Sequence, residues 1–284
     1  GGGIDFSRYD YLMVFHAGVG QDFAFDFDTT PYDIQSVYMD APSLAAGLGQ
    51  DPAVFQGIEC PGGVYLRDGI ILPETQNQES YTLGLLGTMT LLFGSQIGMP
   101  SLFDTESGRA GIGSWGLMDQ GSYNFQGFIP AEPSAWEKIY MGWDEAVIVQ
   151  STYELNIGSP HTDDAPHIIK VPVSSNEYFL IENRQRDPNR DKITIGRDEN
   201  GKRAEFDSTG RVVAPAGIGV LTRVDEYDFG LPGNGILIWH VDEKVIAANL
   251  AANTINNNRD HRGVDLVECD GAQDIGYIYS YLDA

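Results

Sequence analysis

Cysteine is nearly missing from this chain of 284 residues: Cys60 and Cys269 are the only two. They form no CxxC spacing, which excludes a zinc ribbon, a thioredoxin-type redox motif and a c-type haem attachment. One long-range disulfide between them and two separate thiols both stay open, because spacing alone cannot place their Cα atoms within bridging distance. Basic residues are also scarce, with 17 Lys and Arg against 41 Asp and Glu, a formal net charge of -24. Such a field repels phosphate backbones and anionic lipid, which excludes nucleic acid as a partner. No apolar run approaches the roughly 20 residues of a membrane-spanning helix, so membrane insertion is not expected. The first residues, Gly1-Gly2-Gly3, carry neither an initiating Met nor a secretory leader and read as a processed or truncated start. What is present is a globular composition, 42% hydrophobic and 11% aromatic, which excludes a disordered or collagenous chain. The acid surplus suits a solubilising surface and offers oxygen ligands to hard cations, calcium first among them.

Along the chain, Tyr9 to His16 is an apolar run ending at Ala17-Gly18, the pattern of a buried central strand entering a loop. Residues 21–73 are rich in Asp, Gly and Pro and read as long loops with short strands, ending in a strand at Gly69 to Pro73. Tyr81 to Met99 has the length of a buried helix despite its glycines, each costing up to about 1 kcal/mol, and it stops at Pro100. Ser134 followed by Glu137 has the capping-box spacing of a helix start. From Asp144 the texture becomes alternating, as at His167 to Val173, Tyr178 to Glu182, Gly217 to Val224 and Gly235 to Val241. The charged stretch Asp187 to Gly210 reads as a mobile hairpin or surface excursion, and Asp242 to Asn253 as a helix before an acidic tail. The expected class is α+β, with a first half over 1–145 and a β-rich half over 146–284 packed on it as one unit.

Several strings resemble the secreted metallopeptidases of the immune inhibitor A family: His16-Ala17-Gly18, Ile71 to Glu74, Gly98 to Asp104, Gly113 to Asp119, Trp136 to Trp143, Phe179 to Gln185 and Gly235 to Glu243. They follow the family order through nearly the whole chain. The resemblance implies a zincin-like first half and a secreted or cell-surface location. The family's helix reads H-E-x-G-H, with an Asp ligand following it. Two His at i and i+4 bind zinc, the Asp completes the protein ligands, and the Glu deprotonates the metal-bound water. Aligned on Phe93-Gly94 and Gly98-Met99-Pro100, those four positions hold Leu91, Leu92, Ser95 and Ser101. Leucine has no lone pair for a metal and a protonated hydroxyl is a poor ligand, so no zinc is expected. Without it, water keeps a pKa near ~15.7 rather than ~7. Leu91 and Leu92 are expected to fill the vacated cleft, each contributing roughly 1.5–3 kcal/mol if fully buried. Met118 matches the family's Met-turn beneath the metal. The expected function is therefore that of a pseudopeptidase, a structural or binding component among the other proteins of an extracellular assembly.

The rival expectation is a working hydrolase with a non-standard metal site or a serine nucleophile. Ser95 or Ser101 would be that nucleophile, although no G-x-S-x-G elbow brackets either. A relocated zinc site would draw on His16, His161, His167, His240 and His261, of which His240 ends an apolar strand and reads as structural. Two acidic sets are calcium candidates: Asp22, Asp26 and Asp28, and the preferred set Asp242, Glu243, Asp265, Glu268 and Asp270, with Asp274 beside it. A solvated acidic face is the alternative reading of both.

Overall fold

The computed structural model describes residues 4–22, 32–77, 81–152, 154–160 and 166–277. The run expected as a central strand is β1 (Met13–Val19), and it lies at the edge of a three-stranded sheet. The centre belongs to β5 (Gly69–Thr75), parallel to β1 and antiparallel to β2 (Val37–Met39). Ile70 and Leu72 of β5 are fully buried, whereas Val14 and Phe15 of β1 are 48% and 53% exposed. An apolar run does not distinguish a centre from an edge; the number of strands beside it does. Helix α1 (Ala41–Gly47) and the hairpin of β3 (Ile58–Cys60) and β4 (Val64–Leu66) stand between β2 and β5 in the chain.

Helix α2 runs from Leu86 to Gln96, shorter at its start than the apolar stretch suggests. Residues before it are committed elsewhere: the Leu83 N–H donates to Asn77 Oδ1 at 2.7 Å and the Gly84 N–H to the Gln126 carbonyl at 2.8 Å. Gly87 is demanded by close packing, since a Cβ there would sit inside the van der Waals radius of the Ser122 carbonyl oxygen. The helix ends in a Schellman turn on Gly98, φ 98°, with Met99 N–H to Gly94 O at 2.9 Å and Gly98 N–H to Ser95 O at 3.1 Å. Helix α3 (Ala135–Tyr140) starts on the anticipated capping box, with Ser134 N–H donating to Glu137 Oε2 at 2.6 Å.

The second half is built of two sheets. The larger has the order β14 (Val264–Leu266), β13 (Gly235–Asp242), β8 (Glu177–Arg184), β7 (Ile168–Pro172), β6 (Ala146–Ile148), with only the β6–β7 pair parallel. The smaller is antiparallel, β11 (Val212–Val213), β10 (Arg203–Asp207), β9 (Ile193–Asp198), β12 (Leu221–Val224). Its β9–β10 hairpin occupies the stretch expected as a mobile excursion, yet it is anchored: Ala204 and Phe206 are fully buried against Phe128 and Phe229. Charged residues at alternate positions hid that inward face. Helix α4 (Glu243–Asn249) follows β13 directly.

Helices and sheets together give the α+β class. The main core joins both halves of the chain, Leu102, Met118 and Trp136 packing in one cluster with Leu180, Trp239 and Val264. Ionic groups are buried beside it. Arg184, fully buried, donates to Asp228 at 2.6 and 2.5 Å and lies 3.5 Å from Glu182, which accepts the Trp239 indole N–H at 2.8 Å. Glu137 is fully buried as well, and burial pushes its carboxyl up to about 7, with the Glu182 charge adding to the rise. Among the described residues, no helix is long and apolar enough to cross a membrane.

Candidate functional site

The four positions that the resemblance aligns with the zinc motif, Leu91, Leu92, Ser95 and Ser101, lie on α2 and just beyond its end. Leu91 is partly buried and packs against the main core. Leu92, expected beside it, is likewise only partly buried and stays outside both core clusters, so neither leucine reaches the full burial expected of it. Ser95, one turn after Leu91, donates its hydroxyl back to the Leu91 carbonyl at 3.3 Å. Ser101 is buried, and both of its polar groups meet Asn253: the Ser101 N–H donates to Oδ1 at 2.8 Å and Nδ2 donates to the Ser101 hydroxyl at 3.0 Å. Asn253 sits at φ 54°, a left-handed position that asparagine tolerates.

Met118 lies beneath this helix. It is fully buried, and a Cβ on Gly94 would come within 2.7 Å of its sulfur, so a side chain there would have to push the Met118 thioether aside. The turn after Met118 is held by Asp119, whose Oδ2 accepts the N–H groups of Gly111, Ile112 and Gly113 at 2.7–2.8 Å while Oδ1 accepts that of Gln120 at 2.7 Å. Sequence reading did not single out Asp119 or Asn253. Their donors and acceptors lie in other segments, 6 to 8 residues away for the Asp119 Oδ2 bonds and 152 for Asn253.

Among the described residues, neither Ser95 nor Ser101 is hydrogen-bonded to a histidine. The described histidines are dispersed. His16 Nδ1 meets the Ala17 carbonyl at 3.0 Å, His167 lies 3.6 Å from Asp144, His240 lies 3.8 Å from Glu177 and against the Phe179 ring, and His261 meets Asp242 at 3.0 Å. His161 lies outside the described residues.

The preferred calcium set does not converge. Asp242 caps α4 through the Lys244 and Val245 N–H groups; burial opposes its ionisation, but the His261 hydrogen bond and those N–H groups outweigh it and hold the carboxyl below its usual range. Glu243 accepts the Tyr178 hydroxyl at 2.6 Å. Asp265 pairs with Arg262 at 2.8 Å and Gln273 at 2.6 Å, Glu268 accepts the Asp274 and Ile275 N–H groups, and Asp270 accepts that of Ala272. These acids are spent locally as caps, turns and pairs, and no three of them gather. Of the other set, Asp22 is engaged by Ser36 and Gln76, while Asp26 and Asp28 lie outside the described residues. Among the described residues, the one gathering of three potential ligands is Asp187, Asp191 and Glu226. Its signal was present in Asp187-Pro188-Asn189-Arg190-Asp191, where oxygen-bearing side chains recur at every second residue. Cys60 is a buried free thiol and Cys269 an exposed one, so the disulfide left open by the sequence is not formed.

Compared with protein-family models, with curated proteins and with solved structures, the chain matches none. The metallopeptidase resemblance rests on the strings quoted for it.

Proposed function

We propose that this protein is a pseudopeptidase: a catalytically inactive, secreted or cell-surface protein, similar to the immune inhibitor A metallopeptidases, that serves as a structural or binding component of an extracellular assembly. The observation that carries this reading is how the four substituted positions are used. Leu91 packs, partly buried, against the core, the Ser95 hydroxyl is returned to its own helix, and Ser101 is tied to Asn253, with Met118 packed under Gly94. Side chains committed in this way hold a helix; they present neither a metal ligand nor a base to a substrate. Binding is favoured by β1, an edge strand that exposes Val14 and Phe15 and follows the exposed Tyr9 and Tyr11, because an unpaired apolar edge is a template for association.

The test is casein and gelatin cleavage with and without chelator, beside metal analysis of the purified chain and labelling by a fluorophosphonate probe. No cleavage, no stoichiometric zinc and no labelling are expected. Chelator-sensitive cleavage would establish the hydrolase with a non-standard metal site, and labelling at Ser95 or Ser101 the serine hydrolase; either result ends the pseudopeptidase reading.

A further inference from the structure

Between β8 and β9 the chain makes a turn through Asp187 and Asp191, and Glu226, just after β12, faces it. One oxygen from each of the three lies within 4.8 Å of the others. None of the three makes an ion pair with a described residue; Asp187 accepts the Asp191 and Lys192 N–H groups at 3.2 and 3.1 Å and Asp191 Oδ1 that of Ile193 at 3.0 Å, bonds that leave each oxygen a second lone pair. Asp228, two residues beyond Glu226, shows the alternative solution, since its charge is met by Arg184 at 2.5 Å. Glu226 has no such partner although it is only 4% exposed. Its Oε1 accepts the Asn189 N–H at 3.1 Å, which fixes the carboxylate against the loop, and its buried Oε2 has no hydrogen-bond partner among the described residues. A buried carboxylate oxygen without a donor, next to two further carboxylates, is costly through both desolvation and repulsion. A divalent cation would relieve both.

The loop has the spacing such an ion requires. Asp187, Asn189 and Asp191 stand at the first, third and fifth positions of a loop whose Arg190 and Lys192 alternate with them, the spacing by which calcium loops present oxygens to one centre. Lys192 at the sixth position is left-handed, φ 65°, where such loops turn sharply on glycine. The twelfth position, Asp198, does not serve: it does not gather with Asp187 and Asp191, and its carboxylate accepts the N–H groups of Asn200, Lys202 and Gly219 at the far end of β9. Glu226 supplies the distal carboxylate from a separate segment. The donors are all oxygen, which disfavours zinc and copper, and three carboxylates leave little room for the water shell that magnesium retains.

We infer that Asp187, Asp191 and Glu226, with the Asn189 carboxamide, form a calcium site that ties the loop after β8 to the segment after β12. Its effect would be to fasten the loop leading from the larger sheet into the smaller one to the segment after β12, which Arg184 of β8 already grips through Asp228. The site does not depend on the pseudopeptidase reading.

The experiment is calorimetric titration of the full chain, freed of divalent ions, with calcium chloride, together with thermal unfolding. One ion per chain is expected, with Kd about 0.1–1 mM, the range of extracellular calcium modules, and a rise in Tm. Asp191→Asn alters an exposed side chain and Glu226→Gln keeps an acceptor for the Asn189 N–H, so both should fold without the ion. Each should weaken binding at least about tenfold, because affinity follows the number of charged ligands. Asp270→Asn should leave it unchanged. Circular dichroism of each variant without calcium separates lost binding from lost fold. No saturable binding up to about 10 mM, well above the expected range, would overturn the site. Binding unchanged in both D191N and E226Q would do so as well, and equal affinity for magnesium would overturn the choice of ion.

Discussion

Glu137→Gln should flatten the dependence of stability on pH between about 5 and 8. Glu137 opens α3 with its side chain fully buried, and its carboxyl is raised from 4.5 to about 7, chiefly by burial and further by the Glu182 charge, against the opposing Ser134 hydrogen bonds and Arg184. A carboxyl whose pKa is higher folded than unfolded favours the fold while protonated. That contribution is complete below pH 4.5 and is lost as the pH rises through about 7. The rise corresponds to about 3 kcal/mol at its full extent, a substantial part of the stability of a typical domain. Glutamine keeps the acceptor for the Ser134 N–H, so the capping box survives, and it carries no charge to bury. Any cost of its NH2 group is independent of pH. Urea unfolding of both proteins at a series of pH values reads the difference directly: the variant should gain about 2.5 kcal/mol relative to the parent between pH 5 and pH 8, part of the full effect being already lost at pH 5. Carboxyls held below their usual range, such as Asp242, titrate in both proteins and cancel. Parallel profiles, agreeing within about 0.5 kcal/mol over that window, would refute the assignment of the buried charge to Glu137.

Gly87→Ala should destabilise the protein by about 3 kcal/mol, the upper end for overpacking, because the added methyl meets the Ser122 backbone rather than a side chain that can move. A loss below about 1 kcal/mol in urea unfolding would mean that α2 and the turn through Ser122 are less closely pressed than described. A thiol reagent should label Cys269 in the folded protein and reach Cys60 only after unfolding, and a reductant should leave Tm unchanged. Labelling at one thiol per chain before denaturant and two after is the expected count by mass spectrometry; none before denaturant would contradict the exposed free thiol.

What could be read from the chain alone was whatever is decided within a few residues. The Ser134–Glu137 capping box forms three residues apart, Gly98 with Pro100 ends α2 locally, and the alternation of Tyr178 to Glu182 and Gly235 to Val241 marks β8 and β13. The α+β class follows from such signals. Tertiary structure alone decided that β5 rather than β1 takes the sheet centre, that α2 begins only at Leu86, and that Phe206 anchors a hairpin whose charges suggested mobility. It also decided which acids meet. Those in Asp242 to Asp270 look convergent along the chain but are consumed by nearby N–H groups, Arg262, Gln273 and Tyr178. Asp187 and Glu226, far apart in sequence, are brought together by the pairing of β12 with β9. Caps and turns are settled by short-range hydrogen bonds that residue type and spacing encode directly. The meeting of distant carboxylates depends on strand register, which is set by the buried faces of several segments at once.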